Sequence, residues 1–267
     1  MCGRLKITIL GCGSSGGVPR IGSEGPEWGA CDPLEPKNRR RRCSILAQRG
    51  ATAVLVDTSP DMRDQLIDAR CGRLDGVVFT HEHADQAHGI DDLRMVALNN
   101  RARVDVYGDD ATLSALTVKF GYCFATPPGS DYPPILNAHR IAPLKQISIA
   151  GGGGAIPILP FDQAHGRIRS LGFRIGSIAY TSDAVGIPEE SFAALEGVEC
   201  WIVDALRYRP HVSHAHVDLA LQWIARVKPK RAILTNLHTD LDYARLKAEL
   251  PKGVEPAFDG LVIEGSC

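Results

Sequence analysis

The stretch "DGVVFTHEHADQAHG", Asp75 to Gly89, joins a short apolar run to a loop rich in histidine and acidic residues. His81, His83 and Asp85 stand two residues apart. In extended backbone such residues point to the same side, so their side chains can converge. Imidazole nitrogens and carboxylate oxygens are the usual ligands of zinc and similar metals. The loop therefore predicts a metal site. The competing hypothesis is a polar loop in which histidine and aspartate only hydrogen-bond to each other.

Three polar residues elsewhere in the chain also follow apolar runs. His165 follows "PILPFDQA", Asp183 ends "SIAYTSD", and His238 ends "RAILTNLH". Loops that follow strands carry many functional residues, and in α/β proteins sites form at the carboxyl ends of strands. Taken singly, each residue is explained as a turn or capping residue. Taken together with the histidine loop, they favour one shared site.

Strands and helices alternate along the whole chain. Period-two apolar patterns predict hairpins over 44–57, turning at Gly50, and over 170–183. Helices are predicted at 61–69, 91–100, 111–122 and 215–227. Hairpins in both halves with helices between them indicate two sheets packed face to face with helices outside. We therefore expect an α/β (α+β) protein, a four-layer αββα sandwich, with residues 1–267 as one domain.

The composition excludes several classes of protein. The 30 basic and 31 acidic residues give a net charge of −1, which argues against an extended nucleic-acid partner. No apolar run approaches the ~20 residues needed to span a bilayer. The early run "LKITIL" is too short for a signal peptide, so we predict a cytoplasmic protein without membrane contact. The eight cysteines form no C-x-x-C pair, which argues against a zinc ribbon and a disulfide scaffold.

Several motifs together resemble a known group of enzymes. "HEHADQ" at 81–86, the later His165, "TSD" at 181–183 and "TNLHTDLDY" at 235–243 resemble the metallo-β-lactamase superfamily. "ILGCGSSGGVPRIG", "NRRRRCS", "VDTSPDMRDQL" and "GIDDLR" resemble blocks of its PhnP-like cyclic phosphodiesterases. The match runs from residue 5 to about residue 245. It implies the metallo-β-lactamase fold and two divalent metal ions, zinc and/or manganese.

The resemblance also assigns ligands. The first metal would be held by His81, His83 and His165, the second by Asp85 and His238, and Asp183 would bridge the two. Asp57, which ends the strand "TAVLVD", would accept a hydrogen bond that orients the histidine loop. Its alternative role is to cap the helix after Pro60.

Gln86 departs from the family pattern, which has a histidine ligand at this position. An amide oxygen is a harder and weaker donor than imidazole, so we expect a weaker second site that favours manganese or magnesium over zinc. His88 is a possible substitute, although the expected chain turn at Gly89 points it elsewhere. Some PhnP-like proteins hold a structural zinc on clustered cysteines. Cys31 and Cys43 are widely spaced, and we predict no such zinc here.

Two further features point toward phosphate. The segment "HVSHAHVDLALQWIARV" has a helical apolar stripe, which predicts an N-cap at Ser213 and places His214 in the first helical turn. In the family a histidine here assists the leaving group, although a capping or surface role is the plain alternative. The basic run from Arg39 to Arg42 is either a solvated turn or a phosphate-facing patch, with those two arginines as candidate phosphate contacts.

These features lead to a functional hypothesis with competitors. The leading one is a binuclear metal-dependent phosphodiesterase of small cyclic phosphates or nucleotides, in which a metal-bridging hydroxide attacks phosphorus. His214 and Asp85 would be its catalytic residues, and a homodimer is possible. The competitors are a carbon-ester hydrolase (a lactonase or thioesterase), a ribonuclease Z-like processor of transfer RNA, and a non-enzymatic nucleotide- or metal-binding protein. The second is disfavoured because the chain offers no long basic arm.

Overall fold

Two seven-stranded sheets form the centre of the computed structural model, which describes residues 4–267. The first sheet contains, in spatial order, β16 (Val262–Ser266), β1 (Arg4–Gly11), β4 (Ser44–Arg49), β5 (Thr52–Val56), β6 (Gly76–Val78), β7 (Val104–Gly108) and β8 (Leu136–Arg140). The second contains β15 (Val254–Pro256), β14 (Arg231–Thr235), β13 (Cys200–Asp204), β12 (Ile178–Thr181), β11 (Ile168–Ile175), β10 (Ile156–His165) and β9 (Ile147–Ile149). A separate hairpin pairs β2 (Arg20–Gly22) with β3 (Gly25–Glu27).

Helices cover the outer face of each sheet. The first sheet is covered by α1 (Met62–Asp68), α2 (Ala84–Ala87), α3 (Leu93–Asn100), α4 (Asp110–Lys119) and α5 (Gly121–Phe124). The second is covered by α6 (Phe192–Leu195), α7 (Val217–Val227) and α8 (Tyr243–Glu249). Short 3-10 turns occupy Pro36–Asn38, Ile90–Asp92 and Glu189–Ser191. Within residues 4–267, no helix combines the length and apolarity needed to cross a membrane.

Alternation along the strands explains the layering. In β13, Ile202 points between the sheets while Trp201 and Val203 point to the helices on the outside. In β5, Val54 likewise points between the sheets and Leu55 points to the helices on the outside. Each such side chain contributes about 1.5–3 kcal/mol when fully buried. The result is one apolar layer between the sheets and one under each helical face, which confirms the predicted αββα sandwich.

Strand direction places the functional loops. β5 to β8 run parallel, and so do β12 to β15. The carboxyl ends of parallel strands meet at one edge of a sheet. The loops after β5 and β6 therefore emerge side by side, and so do those after β12, β13 and β14. These five loops carry most of the predicted site residues.

Most predicted elements agree with the structure, but two helices differ from their predicted bounds and one hairpin was not predicted. The hairpins over 44–57 and 170–183 are confirmed, with Gly50 and Gly176 at positive φ in their turns. The helix predicted over 111–122 is divided at Phe120, whose φ of −129° and ψ of 36° break the helical path. The helix predicted from residue 215 begins at Val217. The hairpin of β2 and β3 was not predicted, because its six exposed or half-buried residues carry no apolar alternation.

Candidate active site

Three histidine rings from two strand ends meet at the shared edge of the sheets. His81 and His83 follow β6, and His165 ends β10. One ring nitrogen of each lies within 4.8 Å of the other two, and Nε2 of His165 is 3.2 Å from Nδ1 of His83. Nitrogens bound at zinc distances to one tetrahedral ion would be about 3.4 Å apart. The structure thus brings together the three residues predicted for the first metal at a spacing suited to one ion.

A buried hydrogen-bond chain sets the tautomer of His81. The Thr80 hydroxyl donates to Oδ2 of Asp57 at 2.8 Å, and the Thr80 backbone N–H donates to its Oδ1. Because that hydroxyl has one proton, its 3.0 Å contact with Nδ1 of His81 requires the ring proton to sit on Nδ1. The lone pair is then on Nε2. Asp57 therefore acts on the histidine loop through Thr80, and the structure gives it no role in capping α1, where Asp61 is the N-cap residue.

The remaining atoms of the cluster fit a metal ion. Nδ1 of His165 donates to the backbone oxygen of Ser213 at 2.7 Å, which also leaves its lone pair on Nε2. Nε2 of His81 is completely buried and has no hydrogen-bond partner. Burial, followed by the neighbouring His165 and His83 rings, lowers the pKa of His81 well below its usual value. A neutral, buried and unpartnered imidazole nitrogen is costly unless a ligand meets it, and a divalent cation does so.

Asp183 lies at the centre of a second set of contacts. Its Oδ2 accepts a hydrogen bond from Nε2 of Gln86 at 2.7 Å, and its Oδ1 accepts one from Nδ2 of Asn236 at 2.6 Å. Nε2 of His81 is 3.8 Å from Oδ2. Burial raises the pKa of the Asp183 carboxyl, and nearby His214 only partly opposes this shift. The predicted bridging carboxylate is therefore beside the histidine cluster, with both oxygens engaged by side-chain amides.

Three site residues have left-handed backbone at strand ends. Asp57 follows β5 with a φ of 63°, Asp183 follows β12 at 52°, and Asn236 follows β14 at 62°. Non-glycine residues rarely adopt this region, and Asp and Asn tolerate it best. Such residues concentrate at functional sites, where the surrounding structure holds them. The three turns direct these polar side chains into the space between the sheet edges.

Asp204 is a site residue that the sequence analysis missed. It ends β13 and is fully buried; its Oδ2 accepts from the backbone N–H of Ala184 at 2.9 Å and lies 3.1 Å from Nδ1 of His214. Asp183, Asp204 and His214 form a second compact group of possible ligands. The signal was present, because Asp204 ends the apolar strand "CWIVD" much as Asp183 ends its own strand.

His214 is in the site but not on a helix. The prediction of a first-turn position was wrong: α7 begins at Val217 with His216 as its N-cap residue, and His214 lies in the preceding loop. Burial opposes protonation of His214, but its hydrogen bond to Asp204 and the charges of Asp204 and Asp183 outweigh burial and raise its pKa to about 9. Carboxylates, and not a helix terminus, therefore set the state of this imidazole.

The predicted second-metal residues are only partly assembled. Asp85 and His238 belong to neither compact group among residues 4–267. Oδ2 of Asp85 is 3.4 Å from Nε2 of Gln86, whereas Nδ1 of His238 contacts Asp240. Oε1 of Gln86 is buried and without a partner, so a carbonyl oxygen is free to meet a cation.

The arginines divide into structural ones and ones near the site. Arg42 pairs with Asp61 at 3.0 Å, and Arg39 stacks over the Trp28 ring. The guanidinium of Arg42 is therefore occupied within the fold, and the phosphate contacts expected of Arg39 and Arg42 stay a prediction. Arg20 and Arg207 lie nearer the histidines: after burial, the charge of Arg20 is the main cause that lowers the pKa of His238, and Arg207 adds to it.

Arg20 also has a hydrogen-bond donor without a partner. Its Nε is buried without a hydrogen-bond partner. The side chain passes over Gly16, where an added Cβ would stand 3.1 Å from Nε. Arg207 is held by its own loop, because its Nε and an Nη donate to the backbone oxygens of Arg209 and Pro210.

Comparisons with known proteins agree with this architecture. The family model described as "Beta-lactamase superfamily domain" matches residues 52–236. Octanoyltransferase of Porphyromonas gingivalis is 30% identical over 263 residues, which are 96% of this chain and 51% of that protein. The chain therefore spans about half the length of this relative.

Two solved structures illustrate the range of similarity. One, described as a new diphosphatase from the PhnP family, is 32% identical, with a TM-score of 0.89 over 100% of this chain and 99% of that one. Zn²⁺-bound PqqB from Methylobacterium extorquens has a TM-score of 0.72 over 97% of this chain and 99% of that one, at 16% identity. The second shares the fold alone.

Proposed function

Because the chain belongs to the metallo-β-lactamase superfamily, on its PhnP-like branch, we propose that it is a metal-dependent phosphodiesterase of small cyclic phosphates or nucleotides. The observation that carries the proposal is the position of His214. Its imidazole is 3.3 Å from Asp183 and 3.1 Å from Asp204, and its ring centre is 4.7 Å from that of His165. A proton donor thus stands beside a cluster suited to a metal ion.

His81, His83 and His165 would hold the first ion, with zinc as the expected metal. A weaker second ion, with manganese or magnesium favoured over zinc, would be held by Asp85, Asp183, Oε1 of Gln86 and His238, and Asp183 would be shared with the first ion. Divalent ions, when bound there, supply Lewis acidity and lower the pKa of water to about 7. The fit rests on the unpartnered Nε2 of His81 and Oε1 of Gln86, which are both buried.

His214 would serve the leaving group. Asp204 receives Nδ1–H of its ring, which fixes the ring and leaves Nε2–H to donate to the departing oxygen. Asp204 in turn accepts a hydrogen bond from the backbone N–H of Ala184. The backbone therefore positions the pair of Asp204 and His214 before substrate binds. Asp85, whose Oδ2 lies 3.4 Å from Nε2 of Gln86, is the other residue that we propose as catalytic.

Arg20 and Arg207 would neutralise the substrate phosphate. Phosphate is recognised by guanidinium groups with free donors, and buried Nε of Arg20 is one. The glycine loop over which this side chain lies contacts the strand end that carries His238, since the Ser14 N–H donates to the Leu237 oxygen. Arg39 and Arg42 would contribute only if they left Trp28 and Asp61.

The test is an assay of metal-free and metal-loaded protein on bis(p-nitrophenyl) phosphate, a cyclic nucleotide and a lactone. We expect turnover of the phosphodiesters only with metal, and little turnover of the lactone. Chelated protein is the control for contaminating enzyme. Metal-dependent turnover of the lactone alone would contradict the proposal.

A second candidate is hydrolysis of acyl esters or thioesters at the same metals. It is favoured by the 30% identity to a protein named octanoyltransferase. An octanoyl thioester in the same assay separates the two candidates, because an acyl carbonyl has no anionic oxygen for Arg20. Substitution of Arg20 should then reduce phosphodiester turnover and leave thioester turnover intact.

A further inference from the structure

A second imidazole stands beside the proposed proton donor. The ring centre of His211 is 5.1 Å from that of His214, and the two rings are tilted by 46°. Both residues belong to the loop that joins β13 to α7. His214 carries the proton proposed for the leaving group, so His211 lies on the side of the site from which that group would depart.

Backbone contacts fix the orientation and the tautomer of His211. The Ser213 N–H donates to its Nδ1 at 3.3 Å, and the Ser213 hydroxyl is 3.2 Å from the same atom. A backbone N–H can only donate, so Nδ1 carries the lone pair and the ring proton sits on Nε2. The ring is therefore neutral. Burial, followed by the charges of His214 and Arg207, lowers the pKa of His211 and favours the same state.

The loop that holds His211 is itself tied to the histidine cluster. The backbone oxygen of Ser213 accepts a hydrogen bond from Nδ1 of His165 at 2.7 Å. Gly166 follows with a φ of 60°, and a Cβ added to it would stand 3.0 Å from Cβ of Ser213. The loop thus packs closely on the turn after β10. His211 therefore has a fixed position relative to the proposed metal ligands before substrate binds.

The other ring nitrogen of His211 has no partner within the protein. Among residues 4–267 the hydrogen bonds of this side chain are made by Nδ1, and the residue is partly exposed. His139 differs, because its Nε2 contacts Oδ1 of Asp105 at 2.9 Å. A neutral N–H matches a neutral acceptor such as a hydroxyl or ether oxygen. Anionic phosphate oxygens are bound mainly by charged groups such as guanidinium.

We propose that His211 determines specificity for the leaving group, by donating from Nε2 to a hydroxyl or ether oxygen on the carbon next to the one that bears the departing oxygen. The inference rests on the proposed function, because it requires that His214 serve that leaving group. The two rings then have different tasks: His214 protonates the departing oxygen, and His211 recognises its neighbour. Polyols are the class of leaving group that this arrangement favours over simple alkyl and aryl alcohols.

Two symmetric phosphodiesters of equal length test this role. In bis(2-methoxyethyl) phosphate an ether oxygen stands where dibutyl phosphate has a methylene group, on the carbon next to the one that bears the ester oxygen. Calorimetric titration of the metal-loaded protein gives the Kd of each ester. We expect the wild-type protein to prefer the ether ester. In His211→Ala this preference should fall roughly three- to tenfold, as expected for one neutral hydrogen bond.

Two further variants separate recognition from structure. His211→Gln keeps a side-chain N–H donor and should retain most of the preference. His216→Ala, at the N-cap position of α7, is the control and should retain all of it. Elemental analysis verifies that each variant keeps its metal.

The outcomes distinguish this inference from the proposed function. Equal losses of affinity for both esters in His211→Ala would indicate a purely structural role and overturn the inference, and so would an unchanged preference. The proposed function fails separately, if the metal-loaded wild-type protein does not turn over bis(p-nitrophenyl) phosphate. Failure of both esters to bind the wild-type protein would overturn both.

Discussion

Gln86 donates a 2.7 Å hydrogen bond from its Nε2 to Oδ2 of Asp183, so that an amide holds the carboxylate expected to bridge two metals. This fixes the orientation of the Gln86 amide, because the reverse orientation would set two oxygens against each other. Its Oε1 is left buried and unpartnered. One side chain thus restrains Asp183 and also has a free oxygen, which is the weak ligand that we propose for a second metal ion.

Gln86→His should strengthen the weaker step of metal binding, most strongly for zinc, because imidazole replaces an amide oxygen. Calorimetric titration should show the tighter step nearly unchanged, since the three histidines are untouched. Gln86→Leu is the matched control, because it removes the hydrogen bond to Asp183 without adding a ligand. If Gln86→His and Gln86→Leu give identical titrations, Gln86 is not a metal ligand.

Thr80→Val should weaken binding of the first metal about 10- to 100-fold, the usual range for loss of a group that orients a histidine ligand. The variant has nearly the same volume, but it frees Nδ1 of His81 and leaves Oδ2 of Asp57 unpartnered. Competition with a chelator measures the affinity. Thr58→Val is the control, since that buried hydroxyl donates to the Ala87 oxygen and does not contact the histidines. Equal metal affinities of Thr80→Val and Thr58→Val would show that Thr80 does not orient His81 for metal binding.

His214→Ala should lower kcat by roughly 10²–10⁴ while metal content is retained, because this range is typical of a lost general acid. The loss should be smaller for nitrophenyl esters, whose leaving group needs little protonation. Asp204→Asn should also lower kcat, since the His214 ring loses its charged hydrogen-bond acceptor. His216→Ala, at the N-cap position of α7, is the control and should be neutral. Loss of metal from His214→Ala would contradict the assignment.

Asp183→Asn should differ from His214→Ala and Asp204→Asn by losing metal as well as activity, since it removes the carboxylate that we propose is shared by the two metal ions. Elemental analysis after dialysis measures the metal retained. Folding should persist, because the amide still accepts a hydrogen bond at one oxygen. Full metal occupancy in this variant would show that Asp183 is not a ligand.

Arg20→Gln should raise KM for a phosphodiester about tenfold or more, because a hydrogen bond to a charged group contributes about 1.5–3 kcal/mol. The kcat value should change less, since Arg20 is proposed to bind substrate and not to move protons. Arg39→Gln and Arg42→Gln are compared in the same assay. An increase in KM for Arg42→Gln but not for Arg20→Gln would reverse the assignment of the phosphate contacts.

The sequence indicated the sandwich through the alternation of strands and helices, and it indicated the histidine cluster through the resemblance of its motifs to the metallo-β-lactamase superfamily. The continuous apolar runs of β5 and β13 indicate strands covered on both faces, but they do not assign each residue to a layer, because both strands are buried throughout. His81 and His83 lie two residues apart in the chain that follows β6, and His165 is the last residue of β10. Each position is local, but the meeting of His165 with His83 spans 82 positions of sequence, and the sequence indicated it only through the resemblance.

Only the tertiary structure decided the finer chemistry. Asp204 and His214 are ten residues apart and meet because β13 and the loop before α7 converge, while Gln86 reaches Asp183 across 97 positions of sequence. The tautomer of His81 depends on Thr80 and on Asp57, 24 positions before His81. These hydrogen bonds join side chains that come into contact only after folding, and no local periodicity predicts such contacts.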